Sequence, residues 1–314
     1  MSNLCLVCFI VALFTVSRAT DFSWRYTAKL AFDDKKSESE LVRKHDAHSL
    51  SECGAMCQKD CSFFGYNSKD KKCRIHKKIF TSGMSEETGW RYYFPDFLPF
   101  DCKDLFDNGY HKSSVYDIFP YRTKSIPVKV FCEMTKMRGG WTVIQKRIDG
   151  SLSFDRNWTD YKNGFGDSQK NVWIGNDVMH QLTKENNSSL YIFITLQNGT
   201  TLYEMYNGFS VSDEAGKYQL FLAGPAMGTL GDYMLDTGSY YKLSGMSFST
   251  PDRDNDEHLK ANCAAAHNGG WWFNNCHHVF LNGQWAKADW YGPWFPTVRD
   301  GSSVGGTVMM IKRH

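Results

Sequence analysis

The stretch Gly139-Gly140-Trp141-Thr142-Val143-Ile144-Gln145-Lys146-Arg147, with Asp149-Gly150-Ser151 and Phe154-Asp155-Arg156-Asn157-Trp158 close behind, decides how the chain folds. Trp141 to Arg147 alternates and predicts a strand. The same grammar recurs downstream. Leu190 to Gln197 is a β-branched and aromatic run that ends at Asn198-Gly199, a strong hairpin signal. Thr201 to Tyr206 follows, and Asn207-Gly208 reads as another turn. Tyr218 to Leu222 and Thr307 to Lys312 read as the remaining strands. Helical periodicity is sparse and best at Gly175 to Thr183. The pattern predicts an α+β fold with a mainly antiparallel sheet.

Upstream, the composition changes. Residues 21–94 hold four closely spaced cysteines with many Lys, Ser and Glu, and a Pro-punctuated junction, Phe94-Pro95-Asp96-Phe97-Leu98-Pro99, follows. This divides the chain into residues 21–94, a linker at 95–100, and a Trp-, Gly- and Asn-rich region at 101–314. In the first region Ser49-Leu50-Ser51-Glu52 carries a helix start, with Ser49 as cap and Glu52 three residues on, and the helix is expected to reach about Lys59. Cys53 and Cys57 share one face of it, Cys61 lies past its end, and Cys73 falls in a strand from Lys72 to His76. The simplest pairing is nested, Cys53 with Cys73 and Cys57 with Cys61.

Leu4 to Val16 is apolar but short for a bilayer span, and Ser17-Arg18-Ala19 supplies small residues for cleavage. Residues 1–19 therefore read as an export signal, with an uncleaved anchor as the rival. Removing it takes Cys5 and Cys8 and leaves eight cysteines, an even number that suits an oxidising compartment. Sequons at Asn157, Asn186, Asn187 and Asn198 fit a secreted, extracellular glycoprotein. With 36 Lys and Arg against 34 Asp and Glu, the net charge of +2 gives no reason to expect a nucleic-acid or membrane-surface partner. No repeat, nucleophile elbow, zinc-protease motif or phosphate-cradling loop is present, so an enzyme is not expected.

Several further segments belong with the opening stretch. They are Asp101-Cys102, Ser113 to Ile118, Phe131-Cys132-Glu133-Met134, Tyr161 to Gly166, Trp173-Ile174-Gly175-Asn176, Phe248-Ser249-Thr250, Asn262-Cys263, Gly270-Trp271-Trp272 and Leu281-Asn282-Gly283. Together, over residues 101–314, they resemble the fibrinogen C-terminal domain family, whose members are extracellular recognition domains such as ficolins, tachylectins, tenascins and angiopoietins. The resemblance implies a central antiparallel sheet, a calcium-loop subdomain and disulfides Cys102–Cys132 and Cys263–Cys276. In residues 21–94 the Cys-x3-Cys-x3-Cys run, Phe63-Phe64-Gly65-Tyr66-Asn67 and Cys73-Arg74-Ile75 resemble the apple/PAN module. An unclassified disulfide mini-domain is the alternative there.

Two sites follow. Asp252-Arg253-Asp254-Asn255-Asp256 places alternate carboxylates on one loop, as Ca²⁺ requires, although Glu257 and Cys263 at positions six and twelve exclude an EF-hand. By the family pattern Asp254 and Asp256 supply carboxylates, and backbone carbonyls from about His258 to Ala261, Leu259 included, complete the shell. The spacing to Cys263 is one residue longer than the family's, and Ala261 stands where the family has Gly. The second site is Trp271-Trp272-Phe273-Asn274-Asn275-Cys276-His277, which resembles the acetyl pocket of the family's lectins. There a cis peptide, here Asn275–Cys276, turns the N–H groups of Cys276 and His277 toward an acetyl oxygen. His267 replaces a Tyr of that pocket, and the loop after Gly283 is contracted, leaving Trp285 or Trp290 to supply the second aromatic wall. On the rival reading Trp271, Trp272 and Phe273 are core.

These readings lead to a calcium-dependent lectin-like protein that binds acetylated surface ligands or other glycans, in innate recognition. A protein-binding adhesion or signalling ligand of the same fold, with extracellular protein partners, is the alternative. Weak sugar sites gain roughly 10²–10⁴-fold from multivalency. A homo-oligomer would have to form through the apple-like module or the fibrinogen-like domain, since the chain has no coiled coil or collagen stem.

Overall fold

The structure is a computed structural model that describes residues 26–28, 35–37, 41–57, 61, 63–76, 84–95, 98–121, 127–185, 188–235, 242–287 and 293–314. Residues 1–19, read above as an export signal, and Asn186, Asn187 and Trp290 lie outside them. The chain forms two compact units, Met1–Phe97 and Leu98–His314.

Unit 1 contains β1 (Tyr26–Ala28), β2 (Lys35–Ser37), β3 (Leu41–Asp46), α1 (Leu50–Met56), β4 (Phe63–Asn67), β5 (Lys72–His76), β6 (Met84–Glu86) and β7 (Trp90–Pro95). An antiparallel sheet runs in the order β1-β7-β4-β5-β3, and β2 pairs with β6. Ser49 caps α1 by accepting from the Glu52 amide, while the Glu52 carboxylate reaches back to the amide of His48. The helix packs on β4 and β5 through a core of Ala47, Cys53, Phe64, Tyr66, Cys73 and Ile75. The Cys53–Cys73 disulfide closes that contact. Its 20-residue separation corresponds to about 3 kcal/mol of loop-closure stabilisation.

The expected helix to Lys59 stops instead at Met56. Cys57 already has ψ 89°, and its disulfide to Cys61 draws the two Cα atoms to 5.0 Å. Four residues of α-helix rise about 6 Å, so the pair sits closer than a continued helix would hold it. Lys59 itself falls outside the described residues.

Unit 2 opens with α2 (Cys102–Asp107), β8 (Ser114–Ile118), β9 (Val128–Glu133) and β10 (Trp141–Arg147). Next come α3 (Trp158–Asn163), β11 (Phe165–Gly166), β12 (Val172–Trp173) and α4 (Asn176–Thr183). The unit ends with β13 (Ser188–Leu196), β14 (Thr201–Val211), β15 (Leu220–Gly228), α5 (Cys263–His267) and β16 (Val304–Arg313). The sheet path is β11-β12-β10-β16-β13-β14-β15, with β9 also pairing with β10 and β8 with β9. Its observed ladders are antiparallel throughout. Period-two alternation puts Leu190, Ile192 and Ile194 on one face at 0% exposure. Tyr191 and Phe193 point to the other, where they pack with Trp141, Val143 and Met310. The last strand, β16, lies between β10 and β13, and Arg313 near its end is held by Asp101 and Asp104 of the α2 entry. The disulfides are Cys102–Cys132 and Cys263–Cys276.

Two strand expectations change. Asn207-Gly208 is not a turn, because β14 runs through it to Val211. The register with β15 shifts between Tyr206 and Gly208, marking a β-bulge. A Cβ at Gly208 would come within 2.6 Å of Ala223 Cβ, so the glycine permits strand contact rather than chain reversal. The strand expected from Tyr218 begins at Leu220, since Lys217 and Tyr218 both have positive φ and form the turn before it.

Candidate functional site

The site grows from β10. Gln145 and Arg147, two apart and both buried, put polar groups where the strand should supply core. Gln145 Nε2 donates to Leu281 O (3.3 Å) and Asn282 Oδ1 (3.2 Å), and Thr307 Oγ1 of β16 donates to Gln145 Oε1 at 3.2 Å. Arg147 Nη1 donates to Leu281 O at 3.1 Å and also to Gly283 O. Asn282 in turn donates to Gly270 O at 3.0 Å, and the amide of Gly270 donates to Tyr161 Oη at 3.0 Å. The polar pair on the sheet thereby holds the segments before Trp271 and after Phe280.

Trp271, Trp272 and Phe273 are fully buried. Trp272 Nε1 donates to Tyr218 O at 2.8 Å. The two tryptophans are core, as the rival reading expected, while the ring of Phe273 backs a small aromatic group. His277 lies 4.7 Å from His267, 5.7 Å from Phe273 and 5.0 Å from Phe280. Burial, followed by the neighbouring His267 and His278, holds the His277 imidazole down at about 3, so it is neutral at pH 7. The adjacent histidine diverges: the His278 ring lies 5.2 Å from Phe295 and 6.3 Å from Tyr233. The Asn275–Cys276 peptide is cis. No described acceptor takes the Cys276 amide.

A cleft partly open to solvent brings His267, His277 and Trp285 together with Arg147, Phe280 and Lys287. Asn275 and Cys276 do not line it. Arg147, Phe280 and Lys287 were not among the sequence candidates. For Arg147 the available signal was its own position, a charged residue in phase with the buried side of a strand. Trp285 stands with its ring 5.3 Å from the Arg147 guanidinium. Behind it lies Gly150, where a Cβ would come within 2.9 Å of the indole.

The acidic run forms the neighbouring loop. Asp252 Oδ1 accepts from the Trp158 amide (2.9 Å) and the Thr250 hydroxyl (2.7 Å), a structural role. Asp254 accepts from the Asp256 amide, and Asp256 from those of His258 and Cys263. Burial and then the nearby Asp254 charge push the Asp256 carboxyl above its usual range. His258 Nδ1 accepts from the amides of Lys260 and Ala261. Among the described residues no donor meets the carbonyls of His258, Leu259 or Ala261, and no three His, Cys, Asp or Glu side chains converge on a metal-sized point. The donors present are thus two carboxylates and uncommitted carbonyls, all hard oxygens. Because Asp256 also accepts from Cys263, it fixes the start of α5, whose last residue is His267. Asn262 caps that helix by accepting from Ala265. Asn157 and Asn198, the described sequon residues, are exposed.

Residues 98–312 match the family model of the C-terminal globular domain of fibrinogen beta and gamma chains, and residues 30–94 match the PAN domain. Bovine fibroleukin is 40% identical over 192 residues, which is 61% of this chain and 43% of the relative. The chain therefore spans less than half the length of that protein. Bovine fibrinogen-like protein 1 is 39% identical over 235 residues, covering 68% of this chain and 71% of the relative. Human microfibril-associated glycoprotein 4 is 43% identical over 190 residues, 59% of this chain and 71% of the relative. Among solved structures, the fibrinogen-like globe domain of human ANGPTL6 superposes with a TM-score of 0.62 at 33% identity, covering 69% of this chain and 96% of that one. The lamprey fibrin D-dimer, complexed with the peptide Gly-His-Arg-Pro-amide, gives 0.60 at 34%, covering 69% and 74%. In the described residues no helix is long and apolar enough to cross a membrane. Sheet order, disulfides and sequence match agree: the chain belongs to the fibrinogen C-terminal domain family, with a PAN domain ahead of it.

Proposed function

We propose that unit 2 is a calcium-dependent lectin-like recognition domain of a secreted protein, binding acetylated or other glycans. The observation that carries this reading is the cleft in which His267, His277, Phe280 and Trp285 meet, His267 ending the helix that begins at Cys263 and His277 following Cys276 of the same disulfide. Aromatic rings around a concavity suit the methyl and ring faces of an acetylated sugar. Ca²⁺ fits the adjoining loop because Asp254 and Asp256 present like charges side by side, and burial with the Asp254 charge raises the Asp256 carboxyl above its usual range. A bound cation would remove that repulsion and engage the carbonyls of His258, Leu259 and Ala261. Asp256 then holds the Cys263 amide, Cys263 starts α5, and α5 presents His267, so the loop's order becomes the cleft's order.

The test is retention of the mature protein on N-acetylglucosamine resin with calcium present. Release by free N-acetylglucosamine and separately by chelator is expected. No retention, with calcium binding intact by calorimetry, would overturn the acetyl reading. A second reading, a protein or peptide ligand, draws support from the lamprey fibrin D-dimer, a structural relative seen with a bound peptide. On that reading the protein binds a partner but not the resin.

A further inference from the structure

The acidic loop carries a cation within its own run, and the fold turns that cation away. Arg253 stands between Asp252 and Asp254, so the carboxylates closest to it along the chain are those of the loop itself. Its guanidinium lies instead over the ring of Trp158, 3.9 Å from the centroid, and its Nη1 is 3.8 Å from Glu214 Oε1. Among the described residues no ion pair reaches Asp254 or Asp256. Both holding groups are themselves fixed. Trp158 Nε1 donates to Glu214 Oε1 at 2.9 Å, and the Trp158 amide donates to Asp252 Oδ1 at 2.9 Å. Glu214 Oε2 accepts from Lys162, which also pairs with Asp177 at 3.2 Å. Asp177 accepts from the Tyr218 hydroxyl at 2.5 Å, and the Tyr218 ring stacks on Trp158 at 5.3 Å.

We propose that Glu214 and the Trp158 ring hold Arg253 clear of Asp254 and Asp256, and that this hold sets the calcium affinity of the loop. The inference rests on the calcium reading above and names what regulates that site. A guanidinium freed from Glu214 has carboxylates within its own run, and charge-assisted pairing with them would occupy oxygens that a calcium ion needs. An exposed ion pair ordinarily contributes little, because two long side chains must be ordered to form it. Here the ring places the guanidinium, while Lys162 and the Trp158 indole place the carboxylate, so the pair forms between groups already ordered. A purely structural clamp on α3 accounts for Trp158 and Asp252, but not for the run's cation being drawn off the run.

The test is calcium calorimetry on the full chain, on Glu214→Gln, on Arg253→Gln and on the double variant. The Arg253 and Glu214 side chains are 41% and 40% exposed, so neither change opens the core, and Tm without calcium checks this. Glu214→Gln is expected to weaken calcium binding about fivefold, the scale of one exposed ion pair with its ring contact. Arg253→Gln should change the parent by less than about twofold, yet restore most of that loss in the Glu214→Gln background. Simple charge addition would behave differently, since removing the cation would then tighten binding equally in both backgrounds. Equal effects of Arg253→Gln in the two backgrounds, or unchanged affinity in Glu214→Gln, would overturn the inference and leave the calcium reading standing. No calcium binding by the parent chain would overturn that reading, and the inference with it.

Discussion

Replacing Tyr161 by Phe removes one oxygen from the centre of unit 2. That oxygen is fully buried, donates to Phe154 O at 2.6 Å and accepts from the Gly270 amide at 3.0 Å. The ring itself stays, wedged among Phe165, Trp173 and Phe248 at centroid distances of 5.1, 5.5 and 5.1 Å. No cavity larger than a hydroxyl opens, so the cost is that of two orphaned backbone groups. Each buried unpaired group costs about 1–3 kcal/mol, and partial relaxation puts the sum at about 2–4 kcal/mol. For a unit of this size that is a fall in Tm of roughly 4–16 °C. Trp fluorescence is the appropriate probe, because eight of the ten tryptophans lie beyond residue 98. The exposed Tyr203→Phe is the control and should be silent. Gly270 is pinned on both sides, its amide by Tyr161 and its carbonyl by Asn282. Tyr161→Phe should therefore also weaken sugar retention at temperatures where the protein is still folded. A loss below about 0.5 kcal/mol, the range of inert surface changes, would refute the claim that Tyr161 ties α3 to the site segment.

Three further outcomes are expected. Asp254→Asn should weaken calcium binding about tenfold or more by calorimetry, since ligand charge sets affinity in oxygen shells; unchanged affinity would place the ion elsewhere. For His277, the folded imidazole is held near 3 while the unfolded one titrates near 6.5, so the unfolded state binds the extra proton between those values. Stability is then full above about pH 6.5 and declines as pH falls, by about 2 kcal/mol at pH 5. His277→Phe should flatten that part of the urea-midpoint profile, and an unchanged slope would exclude His277 as its source. Gly208→Ala should cost about 1–3 kcal/mol through the 2.6 Å approach to Ala223. Adding Ala223→Gly should recover most of it, and additivity of the two changes would show that they do not touch.

The strands were legible from local composition and alternation, and β10 and β5 occupy the ranges expected for them, Trp141 to Arg147 and Lys72 to His76. The ends of elements were not. Asn207-Gly208 has the composition of a hairpin tip, yet a bulge uses glycine for a different reason, the closeness of a neighbouring strand, and that neighbour is invisible along the chain. The α1 end was misjudged in the same way, because a cross-link overrode propensity. In the site, the Cys-to-His segment and His267 could be read from one run of sequence. Arg147 and Thr307 could not, because they meet Leu281 and Gln145 across separations of 134 and 162 residues.

That division has a physical origin and bears on specificity. The floor of the cleft is built from long-range hydrogen bonds between β10, β16 and the Leu281-Asn282-Gly283 turn. Any change there orphans a buried partner, so the floor cannot vary without loss of the fold. The rim, Trp285 to Lys287, hangs from that turn, and the carbonyl of Lys287 lies where a Cβ on Gly301 would come within 2.4 Å. The rim's backbone is thus closely supported, while the Lys287 side chain is exposed and, among the described residues, bonded to nothing that the core requires. Ligand choice can therefore change at residues 285–287 at little cost in stability, whereas the charge beneath, at Arg147, persists. On this argument Trp285→Ala should abolish sugar retention with a stability change within about 1 kcal/mol, and Arg147→Ala should cost about 3–5 kcal/mol by stranding its carbonyl partners and opening a void. Equal stability losses for the two variants would contradict the separation of floor from rim.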